Sequence, residues 1–226
     1  MLNLITSMAT RQLLGELALK WQHISGQIVS IESVGGVDAA KRVQAGETFD
    51  GVVLASDAID KLIAGGFVVA GSRVDLVQSS VAVAVKVGEQ LPDISTEAAL
   101  RAAVEAAPTI GYSTGPSGVA LARLFDRWGL SALMQSRIVQ APPGVPVGTL
   151  VACGEVSMGF QQLSELMGLG GIAVVGTLPE SIAITTVFSA GVCAVSNQPE
   201  ELGRFLSFLG SREVANTKQQ YGMQAA

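Results

Sequence analysis

A short apolar approach, Pro108-Thr109-Ile110, runs into Gly111-Tyr112-Ser113-Thr114-Gly115-Pro116-Ser117-Gly118, and Val119, Leu121, Ala122, Leu124 and Phe125 follow at helical spacing. The order is strand, small-residue loop, helix, and the chain builds this unit repeatedly. Residues 2–5 read as a strand, with Ser7 in the turn before a helix over 11–23. Residues 27–32 read as a strand, followed by the loop Ser33-Val34-Gly35-Gly36-Val37-Asp38 and a short helix over 39–45. Residues 50–55 form a third strand, and Ser56-Asp57 caps a helix over 58–64. Strands and helices alternating through short connections predict an α/β fold with mostly parallel sheets. Each unit sets a helix start at the carboxyl end of a strand. There the unpaired N–H groups and the positive end of the helix dipole favour an anion.

The remaining chain continues the pattern. A small-residue β run covers 79–87, a helix covers 93–107 with Ser95 as N-cap, and Ser117 stands where an N-cap belongs after the Gly111 loop. A strand over 137–140 leads through a turn over 142–146 into a helix over 147–153. Strands are expected over 155–161 and 172–175, a long β run over 182–196, and closing helices over 199–209 and 212–221. Two lobes are expected: residues 1–80 with 190–226, and residues 81–189, joined by hinge strands near 79–87 and 182–196.

Several function classes drop out. The formal net charge is -5, and no run of lysines or arginines appears, so nucleic acid is not an expected partner. No apolar run reaches membrane-spanning length, so no membrane insertion is expected. Cys153 and Cys193 form no Cys-x-x-Cys and read as small buried hydrophobes, signalling neither a metal site nor a redox pair. His23 is the sole histidine and sits at a helix end, which leaves no Ser/His/Asp triad. Gly168-Leu169-Gly170-Gly171-Ile172-Ala173 matches a dinucleotide fingerprint in letters only. It lacks the strand before and the helix after, so it reads as a turn. The Gly111 loop has no lysine after its last glycine and is no P-loop. No metal and no cofactor are expected. The first residues carry no basic leader region. A cytoplasmic location is expected for the chain as given, or a periplasmic one if a signal peptide was trimmed.

What survives is a constellation: helices beginning after Ser7, after Gly36, after Ser117 and after Pro146. Ligands of open α/β sheets bind at the carboxyl ends of strands. If two such sheets face each other, these starts converge on one cleft that holds an anion by N–H groups and hydroxyls.

The order of elements, the run Arg42-Val43-Gln44-Ala45-Gly46-Glu47-x-x-Asp50-Gly51-Val52-Val53 and the late Tyr221-Gly222 resemble the periplasmic molybdate-binding protein family. That resemblance covers essentially the whole chain and implies a type II periplasmic binding-protein fold, two α/β lobes joined by two crossing strands. It puts the family's oxyanion-binding positions on Ser7, on the loop of Gly35, Gly36, Val37 and Asp38, near Ser117, on Val145 and on Gln162. The second loop lacks the family's serine, Asp38 brings a carboxylate, and Gln162 replaces a tyrosine. Asp60-Lys61-Leu62, Ser72-Arg73-Val74-Asp75-Leu76, Pro92-Asp93-Ile94-Ser95, Ser117-Gly118-Val119 and above all Gly159-Phe160-Gln161-Gln162-Leu163-Ser164-Glu165-Leu166 are similar to the aconitate isomerase branch of the same fold. That branch implies a cofactor-free proton shift between trans- and cis-aconitate. The alternative is a molybdate-binding-protein-like receptor or cytoplasmic sensor for a small oxyanion or organic acid, with an ABC permease as partner if the chain is exported.

Moving a double bond beside carboxylates needs a base for a carbon-bound proton, an acid to return it, and donors for the dienolate. Asp38, Tyr112 and Glu165 are the candidate acid–base groups. Ser7, Gly35, Gly36, Val37, Ser113, Ser117, Gly118, Val145, Gln161 and Gln162 are the candidate ligand-binding positions. Arg11 and Arg123 sit a turn into their helices and could clamp a carboxylate only if they turn inward.

Overall fold

Leu2, Leu4 and Ile5 in the first strand are all buried, although neighbouring side chains of a strand point to opposite faces. Such a strand needs cover on both sides, the requirement of a parallel sheet flanked by helices. The computed structural model, which describes residues 1–142 and 144–226, provides that cover. Strand β1 (Leu2–Ser7) pairs in parallel with β2 (Val29–Val34) and with β3 (Gly51–Ala55). After a single 3-10 turn over Met8–Thr10, helix α1 (Arg11–Ser25) buries Leu13, Leu14, Leu17 and Ala18. It stops at Gly26, whose φ of 73° is left-handed and natural only for glycine. Helices α2 (Gly36–Gln44) and α3 (Ser56–Ala64) bury Ala39 and Val43, Ile59 and Leu62 against Ile5, Val52 and Leu54 on the other face.

Strand β4 (Val74–Lys86) carries the chain from one compact unit into a second. Unit 1 comprises Met1–Ser79 and Thr186–Ala226, and unit 2 comprises Ser80–Thr185. In unit 2, α4 (Glu97–Ala106) precedes β5 (Ile110–Ser113) and α5 (Pro116–Arg127). A short α6 (Ser131–Met134) leads to β6 (Ile138–Ala141), α7 (Val147–Cys153) to β7 (Met158–Gln162), and one helical turn α8 (Leu163–Leu166) to β8 (Ile172–Thr177). β5 is parallel to both β6 and β7, while the second half of β4 is antiparallel to β7 and β8. α4 and α5 bury Leu100, Val104, Leu121, Leu124 and Phe125 on one face with Ile110, Tyr112 and Phe160. α7 buries Val147, Leu150 and Val151 on the other with Ala82, Ala84 and Leu166. The chain returns through β9 (Thr185–Val192), antiparallel to β3 in unit 1, followed by α9 (Pro199–Gly210), α10 (Ala215–Gln220) and β10 (Gln224–Ala225), which pairs with Val77 and Gln78 of β4. α9 supplies Leu202, Phe205, Leu206 and Leu209 to the core beside α1.

Several boundaries move, for identifiable reasons. α2 starts at Gly36 with Gly35 as N-cap, so Val37 and Asp38 belong to a first helical turn and not to a loop. The glycines read as loop residues, yet a helix start tolerates them. α5 starts at Pro116 with Gly115 as N-cap, so Ser117 is inside the helix and is no cap. Proline at the first helical position is pre-shaped for that place. Thr96, not Ser95, caps α4, its Oγ1 accepting the Ala99 N–H at 3.1 Å, while the Asp93 carboxylate accepts the Ser95 N–H at 2.9 Å. β4 begins at Val74 instead of 79, and the 182–196 run is strand only over Thr185–Val192, with 3-10 turn over Glu180–Ile182 before it. α6 and β10 had no sequence signal strong enough to read. The turn over 142–146 includes Pro143, which lies outside the described residues.

The residues that carry the first family resemblance build unit 1. The Arg42 guanidinium donates to the carboxylates of both Glu32 and Glu47 and lies 5.1 Å over the Phe49 ring. Asp50 is buried and accepts the Asn3 N–H at 2.9 Å and the Ser196 hydroxyl at 2.8 Å. Arg73 pairs with Asp60 and Asp75, and Asp75 also accepts the Ser189 hydroxyl at 2.6 Å.

Candidate functional site

In unit 1 the parallel strands end together, because β1 keeps register with β2 through Ser7 opposite Val34. Helix starts therefore gather at that edge. Ser7 is 8% exposed, and its Oγ is fully buried with no hydrogen-bond partner in the described structure. An unsatisfied buried hydroxyl costs about 1–3 kcal/mol and calls for an explanation. Gly36 lies beside it: a Cβ there would stand 3.7 Å from the Ser7 Cβ. The N–H groups of Gly36, Val37 and Asp38 open α2 and have no carbonyl to meet within the helix. Val37 is exposed. The Asp38 carboxylate folds back over the same helix start, its Oδ2 3.4 Å from the Cβ position of Gly35. A carboxylate there is held by the dipole, and it takes up room and positive potential that a ligand anion would use.

In unit 2 the Gly111 loop is tighter than a ligand cradle. A Cβ on Gly118 would run into the carbonyl oxygen of Ser113, so glycine is required there by the packing of α5 on β5. Gly118 thus has a structural reason independent of any ligand. Ser117 is buried in the first turn of α5, and Ser113 is half-buried at the end of β5. The Tyr112 ring meets Phe125 edge-on at 6.2 Å between centroids, and burial raises its phenol pKa. The ring packs into the core of unit 2. The Val145 N–H donates to the Pro142 carbonyl at 3.0 Å, so this amide is already engaged. Arg11 and Arg123 are exposed, as their helical positions suggest.

The end of β7 is different. Gln161 and Gln162 are each 3% exposed, on opposite faces of the strand. The Gly148 N–H, in the first turn of α7, donates to Gln161 Oε1 at 3.4 Å. Gln161 Nε2 in turn donates to Glu165 Oε1 at 2.8 Å. Glu165 sits in α8 immediately after the strand and keeps partial exposure. Loss of hydration pushes its pKa up to about 7, against the opposing pull of the Gln161 amide, which favours the carboxylate. Among the described residues, the other carboxyls with shifted pKa values, Glu16, Glu32, Glu47, Asp75 and Asp93, all move down. Among the described residues with shifted carboxyls, Glu165 is thus the one whose pKa is raised, into the range that general acid–base chemistry uses. The contact from Gly148 lies outside what spacing could reveal, although Gln161 and Glu165 at i and i+4 were a visible hint.

No group of His, Cys, Asp and Glu side chains among the described residues could hold a metal ion. No helix there is long and apolar enough to cross a membrane. Cys153 and Cys193 are free, the first exposed and the second buried.

A protein of Pseudomonas sp named aconitate isomerase is 37% identical over 217 residues, spanning 92% of this chain and 82% of that protein. The solved periplasmic molybdate-binding protein of Azotobacter vinelandii matches at a TM-score of 0.82 and 20% identity, covering 100% of both chains. The solved tungstate-binding protein of Desulfovibrio alaskensis G20 matches at 0.70 and 17%, covering 100% of this chain and 98% of that one. These structures establish the type II periplasmic binding-protein fold, and the Pseudomonas relative supports the isomerase-like branch. The profile of the bacterial extracellular solute-binding proteins matches residues 2–224, and the chain belongs to that family.

Proposed function

We propose that this protein binds a small polycarboxylate and catalyses a cofactor-free shift of its double bond, interconverting trans- and cis-aconitate. The observation that carries the reading is Glu165, partly exposed just after β7 and hydrogen-bonded by Gln161, with burial pushing its pKa up to about 7. In its carboxylate form it takes a proton from the methylene carbon. The C–H electrons spread over the neighbouring alkene and carboxylate as a dienolate. The same group, now an acid, returns the proton to the other end of the three-carbon system, so the double bond moves and no redox partner is consumed. Taken unit by unit, the candidate donors for ligand carboxylates are Ser7 in unit 1 and Ser113, Ser117 and Gln162 in unit 2. The relative named aconitate isomerase supports the reaction class.

A second reading, a receptor for molybdate or tungstate that serves an ABC permease, is favoured by the ligands named for the structural neighbours. Asp38 argues against it, since a compact tetrahedral dianion at the α2 start would face a carboxylate there, and like charges brought together are costly. Calorimetric titration with trans-aconitate, citrate, molybdate and sulfate separates the readings. The organic acids should bind and the inorganic oxyanions should not. Tight molybdate binding with no response to organic acids overturns the proposal.

Ser7 gives a sharper check. Ser7→Ala removes a hydroxyl that has no partner in the described structure, so stability without ligand should hold or rise slightly. Affinity for trans-aconitate should fall by about tenfold, the worth of one hydrogen bond to a charged group. Unchanged affinity would remove Ser7 from the site.

A further inference from the structure

We propose that Gln161 is the positioning residue of the site: it turns Glu165 so that the transferable proton resides on Oε2. This rests on the acid–base role given to Glu165 above. The Gln161 side chain is buried and has one orientation that satisfies its surroundings. The Gly148 N–H can only donate, so the Gln161 atom facing it is the oxygen, and the amide nitrogen must face Glu165. Glu165 Oε1 therefore accepts a permanent N–H. An oxygen already accepting a donor is the poorer place for a proton, and Oε2 is left to take one and give it back.

The backbone reinforces this arrangement. A Cβ on Gly148 would stand 2.6 Å from Leu169 Cδ1 and 3.2 Å from Leu166 Cδ2, so the start of α7 packs directly against the segment that carries Glu165. Any movement of α7 thus moves the amide that orients the acid. The charged groups around Glu165 are few. β7 and β8 carry no titratable side chain, α8 carries only Glu165 itself, and α7 carries only Cys153. Lys86, at the end of β4, lies by Gly154, its Nζ 3.6 Å from that residue's Cβ position. The Gln161 amide lowers the Glu165 pKa, set against the larger effect of desolvation, which raises it.

The test reads Glu165 directly. The side-chain carboxyl is followed by carbon-13 NMR across pH, with its signal assigned by its loss in Glu165→Gln. Gln161→Met keeps the length and removes both hydrogen bonds. Gln161→Glu keeps the shape and, when ionised, removes the donor. Both should raise the Glu165 midpoint above the wild-type value of about 7, and the acidic limb of any pH–rate profile should move with it. A midpoint unchanged in both folded variants, as judged by circular dichroism, overturns the proposal. If wild type fails to isomerise trans-aconitate, the functional reading falls, and the link from Gln161 to Glu165 is still decided by the midpoint.

Discussion

Glu165→Gln should lower trans-aconitate turnover by about 10²–10⁴-fold, the usual share of a positioned acid–base group. The same substitution should make the protein more stable above about pH 7. Glu165 has a folded pKa of about 7 against an ordinary 4.5. Between those values the folded chain binds the extra proton, so stability falls as pH rises through that window and the loss is complete above about 7. Glutamine stays neutral and does not incur it. Thermal unfolding near pH 5 and near pH 9 should show a wild-type deficit only at the higher pH, absent in the variant. Equal turnover in both proteins would remove Glu165 from the chemistry, and equal pH dependence of unfolding would remove its raised pKa.

Gly118→Ala should destabilise unit 2 by about 3 kcal/mol, the upper range for overpacking, because the obstacle is the Ser113 carbonyl and backbone cannot step aside as a side chain can. Relief requires the start of α5 to lift from β5, which also displaces Ser117. Urea unfolding should show a lower midpoint with little change in slope. A variant as stable as wild type would restore Gly118 as a residue kept open for a ligand.

These two residues show where the sequence was readable. Repeated strand, loop and helix units announced the fold class, since parallel strands buried on both faces and amphipathic helices leave strong periodic signals. Helix starts were displaced at Gly36 and Pro116, where residues typical of loops occupy first helical turns. Gly118 read as a ligand-facing glycine because absence of a side chain looks the same whether a ligand or a carbonyl demands it. Asp38, Tyr112 and Glu165 were equal candidates on chemistry alone. Burial sets two of them apart: it packs the Tyr112 ring against Phe125, and it leaves Glu165 partly exposed yet desolvated. The orphaned Ser7 hydroxyl and the Gly148 contact to Gln161 are tertiary facts, invisible until strand and helix ends are brought together.

The central claim is a proton shift, and it is tested most directly by incubating purified protein with trans-aconitate alone and following the ultraviolet absorbance, with the products separated by chromatography. The account predicts cis-aconitate appearing at a rate proportional to protein, approached from either isomer and lost in Glu165→Gln. Tight binding of trans-aconitate with no cis isomer formed, at any pH on either side of the Glu165 midpoint, would contradict it and leave a receptor.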